Sequence, residues 1–153
     1  MKIMDILVKD AAILDLASDT KEAVIEEIAR AMALAEPALS GPRLQEVLMD
    51  REALQSTGIG EGVAIPHGKI SGLDRIVASF ARSVKGVDFE SIDGQPTHLF
   101  FLLVVPEHSG GQHLKALARI SRFFRDAEFR QKLISAGSLD EVFRSVQEED
   151  EKF

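Results

Sequence analysis

Few side chains in this sequence can carry chemistry. None of its 153 residues is a cysteine, which excludes a disulfide scaffold, a thiolate metal site and a cysteine nucleophile. Four histidines remain, His67, His98, His108 and His113. His67 has the most informative setting. It closes the segment STGIGEGVAIPH (56–67), in which Gly58, Gly60 and Gly62 mark a loop and Val63 to Ile65 a short strand. Pro66 holds Ile65 extended, and Gly68 is expected to leave one side of the ring open. An imidazole so placed can act as a general base, a metal ligand, a nucleophile or a satisfied surface group.

The standard alternatives fail on spacing. A dinucleotide fingerprint starting at Gly58 needs a third glycine at the position held by Val63. Gly68-Lys69 is followed by Ile70 rather than Ser or Thr, so there is no P-loop. No HExxH helix exists, and no two histidines stand four apart. No GxSxG elbow supports a serine hydrolase. The glycine cluster then reads as a turn that brings backbone close to a partner.

Two other residues bear on His67. Arg51 falls on the apolar face of a helix carrying Leu44, Val47 and Leu48, where a guanidinium is costly unless an anion meets it. The plain alternative is a surface ion pair with Glu46 or Asp50. His113 stands in the first turn of a later helix, where free N–H groups favour an anion. A neutral imidazole between such groups suits a phosphoryl acceptor.

The elements that position these residues alternate in type. The first helix is expected over about Thr20 to Ala35, capped by Asp19 with Glu22 as capping partner, and stopped by Pro37. Ala12 to Leu16 reads as a short strand before it. The second helix starts at Pro42, capped by Ser40 or Gly41. Ile76 to Ala81 reads as a strand and Asp93-Gly94 as a turn. Leu99 to Val105 is the longest apolar run and reads as a strand buried on both faces. Helices follow from His113, over Ala127 to Ser135, and from a Ser138–Glu141 capping box onward. The expected class is α/β, a mixed β-sheet with helices packed on its faces. One domain is expected over residues 1–147, with the acidic tail 148–153 disordered.

Composition narrows the function further. Hydrophobic residues are 45% and charged residues 28% of the chain, the balance of a globular protein able to bury its own core. The net charge of -7 argues against nucleic-acid binding. Asp5, Lys9 and Asp10 interrupt any export signal, and the longest apolar run is too short to span a bilayer, so a cytoplasmic location without membrane insertion is expected.

Taken together, Arg51-Glu52, STGIGEGVAIPHGK (56–69), DGQP (93–96), LFFLLVVP (99–106) and HLKAL (113–117) resemble the type-2 (fructose–mannitol) enzyme IIA family of the phosphoenolpyruvate-dependent phosphotransferase system. The opening, residues 9–29, looks like its stand-alone nitrogen-regulatory branch. The resemblance implies a phosphotransferase in which His67 accepts a phosphoryl group on Nε2 from HPr or an HPr-like carrier. It implies that Arg51 and His113 steady the phosphoryl charge, that Ser56 and Thr57 lie near it and add hydrogen bonds, and that a backbone carbonyl holds Nδ1 of His67. Neither cofactor nor metal is implied. His98 is read as a residue at the start of a strand, and His108 is assigned no role. The output is either phosphorylation-dependent regulation of a target protein or relay to a IIB domain during sugar uptake. Docking on the carrier is expected to be transient, through an apolar patch around the loop.

Overall fold

The apolar run at Leu99–Val105 is the middle of a longer strand, and the molecule is arranged around it. The computed structural model describes residues 1–153. In chain order the elements are α1 (Ile3–Ile6), a 3-10 turn (Lys9–Ala11), α2 (Lys21–Ala35), α3 (Gly41–Leu54), β1 (Gly58–Gly60), β2 (Val63–Ala64), β3 (His67–Ile70), β4 (Val77–Val87), β5 (Thr97–Pro106), α4 (Gln112–Arg125), α5 (Ala127–Ser135) and α6 (Leu139–Lys152). β5 pairs antiparallel with β4 along one edge. Along its other edge it pairs in parallel with β2 and then with β3, which lie end to end. β1 closes the sheet antiparallel to β2.

Alternation along β5 builds two cores. Leu99, Phe101, Leu103 and Val105 face α4, α5, α6 and α1. Phe100, Leu102 and Val104 face α2 and α3 on the opposite side. The sheet is therefore mixed and covered on both faces, as the unbroken apolar run requires. Each fully buried phenylalanine contributes about 1.5–3 kcal/mol relative to exposure, and Phe100 and Phe101 sit on opposite faces of one strand.

Several elements differ from expectation. Thr20, not Asp19, caps α2: its hydroxyl accepts the Ala23 amide at 3.3 Å. Ala12 to Leu16 forms no regular strand. It runs beside β4 through isolated bonds, Ile13 N–H to the Phe80 carbonyl and Leu16 N–H to that of Arg82. β4 continues six residues past Ala81, to Val87, because Arg82, Ser83 and Gly86 pass through a register shift that sequence periodicity does not register. The glycine loop contains a strand, β1.

The tail is also corrected. Residues 148–152 continue α6, and Glu149 and Asp150 are buried. The Asp150 carboxylate accepts the amides of Ile3 and Met4 at 2.8 and 2.9 Å and pairs with Arg119 at 2.9 Å. A charge run that composition reads as solvated is thus the cap of the first helix, a contact spanning nearly the whole chain. No helix of the chain is long and apolar enough to cross a membrane.

Candidate functional site

Pro66 breaks the edge strand between β2 and β3. Lacking an N–H, it still accepts the Leu103 amide at 2.9 Å, so pairing resumes at once and His67 begins β3 opposite Leu103. The ring turns back on its own backbone, and Nδ1 donates to the Ile65 carbonyl at 2.8 Å. A carbonyl can only accept, so the proton sits on Nδ1 and Nε2 keeps its lone pair. Nε2 has no protein partner.

Glycine at position 68 serves packing rather than open space, contrary to expectation. A Cβ there would stand 2.6 Å from Val47 Cγ1. The missing side chain lets α3 lie against β3, which brings the last turn of α3, and with it Arg51, beside the imidazole. A cleft of about 380 Å³ opens at this junction, lined by Val47, Arg51, Leu54, His67, His113 and Leu117 among others. A second cleft, of about 300 Å³, shares His67 and Arg51 and is bordered by Ser56, Thr57, Ile59 and Ile92.

Arg51 has no carboxylate partner. Its guanidinium donates to the Gln55 carbonyl at 2.7 Å, while Glu46 is taken by Arg43 at 3.0 Å. His113 repeats the His67 arrangement, with Nδ1 bonded to the Gly110 carbonyl at 2.9 Å. It is the second residue of α4, a helix with no side-chain cap; the Gln112 amide donates to the Ser109 carbonyl at 3.2 Å, which leaves the amides of His113 and Leu114 for an anion. Burial above all, together with the Arg51 guanidinium and the neighbouring His113, holds the His67 pKa below its ordinary value, against the opposing pull of the Ile65 carbonyl and Glu52. The ring is therefore neutral at neutral pH, as a nucleophile must be.

Ser56 and Thr57 border the site, yet their protons are committed elsewhere. The Ser56 hydroxyl donates to the Phe89 carbonyl at 2.7 Å. The Thr57 hydroxyl donates to the Glu52 carboxylate, which also accepts the Thr57 amide at 3.1 Å. Both residues shape the loop and offer no free hydroxyl proton. His98 lies at the start of β5, bonded through Nδ1 to the Ser83 carbonyl at 3.0 Å, and His108 is exposed in the turn after it.

Sequence reasoning missed the buried network of Glu52 with Lys21, 3.0 Å apart. Only the position of Glu52 beside Arg51 hints at it. Large apolar side chains are exposed in this region: Leu54, Ile59 and Ile92 are 82%, 41% and 71% exposed, and Leu114, in the first turn of α4, is 61% exposed. The first three line the two clefts.

Taken as chemistry, the site offers a neutral nucleophilic nitrogen, a guanidinium with no carboxylate partner and a second imidazole. That set can receive a tetrahedral oxyanion group. A family model described as "Phosphoenolpyruvate-dependent sugar phosphotransferase system, EIIA 2" matches residues 5–149. A "Nitrogen regulatory protein" of Bradyrhizobium diazoefficiens is 41% identical over 146 residues, covering 94% of this chain and 93% of that one. A "PTS system fructose-specific EIIABC component" of Bacillus subtilis is 38% identical over 150 residues, covering 98% of this chain; the chain spans only 24% of that protein's length. Among solved structures, "Nitrogen Regulatory Protein IIA-Ntr from Neisseria meningitidis" superposes with a TM-score of 0.88 at 35% identity, over 94% of this chain and 98% of that one.

Proposed function

The chain belongs to the type-2 enzyme IIA family of the phosphoenolpyruvate-dependent sugar phosphotransferase system, and on that premise we propose that it is a phosphohistidine carrier whose acceptor atom is Nε2 of His67. The observation that carries this reading is the tautomer. Nδ1 is tied to the Ile65 carbonyl, so the lone pair lies on the nitrogen left without a protein partner, in a ring that lines the cleft with Arg51 and His113.

The transfer balances without an added cofactor. Nε2 attacks the phosphorus of a phosphohistidine on HPr or an HPr-like carrier, whose ring is protonated on its other nitrogen. One N–P bond forms and one breaks, and the donor ring departs neutral. The Nδ1 proton stays on His67, and the positive charge it then carries is shared with the Ile65 carbonyl. Arg51 and His113 compensate the phosphoryl oxygens, which is most of what such a transfer demands.

Two uses of the phosphoryl group follow from the relatives. The likeness to stand-alone nitrogen regulatory proteins over nearly their full length favours regulation. In that reading about −1.5 to −2 units of charge added at His67 change which proteins dock on the apolar rim. The likeness to a fructose-specific EIIABC component supports a second reading, relay to a IIB domain during sugar uptake. The test is incubation of the full chain with labelled phosphoenolpyruvate, enzyme I and HPr. Wild type is expected to take up label and His67→Ala none; label retained by the variant overturns the assignment. Transfer onward to a cognate IIB domain separates relay from regulation.

A further inference from the structure

Behind the cleft lies a carboxylate that phosphoryl transfer does not use directly. Glu52 is 6% exposed although it belongs to the last turn of α3. A carboxylate withdrawn from water is costly unless all its oxygens are matched, and here they are. One oxygen accepts the Thr57 amide and pairs with the Lys21 ammonium at 3.0 Å; the other accepts the Thr57 hydroxyl. Lys21 is held in turn over the Phe89 ring, 4.9 Å from its centre.

What this arrangement fixes is Thr57, and two routes lead from there into the site. The Thr57 carbonyl accepts the Ile65 amide at 3.0 Å, and the Ile65 carbonyl accepts Nδ1–H of His67 at 2.8 Å. Two residues before Thr57, the Gln55 carbonyl accepts the Arg51 guanidinium at 2.7 Å. One buried carboxylate therefore anchors the segment that selects the tautomer of the nucleophile and aims the cation beside it. We propose that Glu52, seated on Lys21, is a positioning residue for phosphoryl transfer, acting through Thr57 on both His67 and Arg51. The inference rests on His67 being the acceptor.

Glu52→Gln keeps the shape of the side chain but removes the charge paired with Lys21 and one of the two acceptor oxygens that hold Thr57. Thr57→Val removes that hydroxyl alone. In the full chain, both variants are expected to slow the maximal rate of transfer from phospho-HPr at least tenfold, with the half-saturating donor concentration little changed, since misplacement of reacting groups by an ångström costs up to about 10²-fold. The double variant should be no slower than the slower single one, because both cut the same link. Ring ¹⁵N NMR should report a smaller fraction of His67 with its proton on Nδ1, a signature that a loss of general stability would not produce. Wild-type rates and an unchanged His67 tautomer in the variants overturn the proposal. Should Glu52→Gln fail to fold, Thr57→Val decides by the same two readouts. Failure of wild type itself to accept label refutes the carrier reading instead.

Discussion

His67 and His98 are built alike and do different things. Each is held by its own Nδ1 on a backbone carbonyl, Ile65 in one case and Ser83 in the other, at 2.8 and 3.0 Å. Each stands at the start of a strand, β3 and β5. Both therefore present the same tautomer, with the Nε2 lone pair free. The difference lies in what surrounds Nε2. At His98 the space is filled: a Cβ on Gly86 would stand 3.0 Å from that nitrogen and 2.8 Å from Cε1. At His67 the ring borders two clefts, with the Arg51 guanidinium on their shared wall. A fixed tautomer is thus not a site by itself; unfilled space and unpaired positive charge beside it make one.

The comparison breaks most visibly by exchanging the losses. His67→Ala should abolish phosphorylation while the fold persists, since the ring lines two clefts and belongs to neither core. His98→Ala should leave transfer within about twofold of wild type and lower stability by about 1–3 kcal/mol, the cost of an unpaired Ser83 carbonyl and a void against Gly86. Label uptake and chemical denaturation measure the two. Next in size is Arg51→Ala, expected to slow transfer by about 10²–10³-fold, as when a preorganised charge is removed from a developing oxyanion. Stopped-flow transfer from phospho-HPr reads this, and an unchanged rate would remove Arg51 from the mechanism.

His67 stood out in the sequence for local reasons, because a proline before it and a glycine after it constrain only neighbouring backbone. Arg51 was legible from helical periodicity. The two-faced sheet was legible from the unbroken run of β5. What stayed hidden depends on contacts between distant segments. The capping of α1 by Asp150 looks, in sequence, like one charge in an acidic tail. Burial of Glu52 follows from Lys21, a residue on another helix. Gly68 was read as room beside the ring, whereas α3 occupies that room. Local chemistry shows which groups can react, and tertiary packing decides which of them meet.

The two glycines beside these histidines sharpen the contrast at smaller scale. Gly68→Ala would drive a methyl group to 2.6 Å from Val47 Cγ1, so α3 must retreat and carry Arg51 with it. Both stability, by about 1–3 kcal/mol, and transfer rate, by about tenfold, should fall. Gly86→Ala meets the His98 ring at 2.8 Å in a left-handed conformation, φ +88°. It should cost a similar amount of stability and leave the transfer rate alone. Equal effects of the two substitutions on transfer would mean that the distance between α3 and β3 does not matter to the reaction.

The smallest expected effect is a dependence of stability on pH that belongs to one ring. Burial first, with Arg51 and His113, depresses the folded-state pKa of His67 below its ordinary value near 6.5. A base whose folded pKa is lowered binds fewer protons than its unfolded counterpart in the interval between the two values. Stability then rises with pH across that interval. The contribution is fully present above the unfolded value and is lost as pH falls from about 6.5 through the folded value. Denaturant unfolding of wild type and His67→Gln at several pH values between about 7 and 5 tests this. The difference in stability between them should change over that range, with wild type losing more on acidification. Parallel curves would mean that the ring is not desolvated, and that its neutrality at pH 7 owes nothing to the cleft.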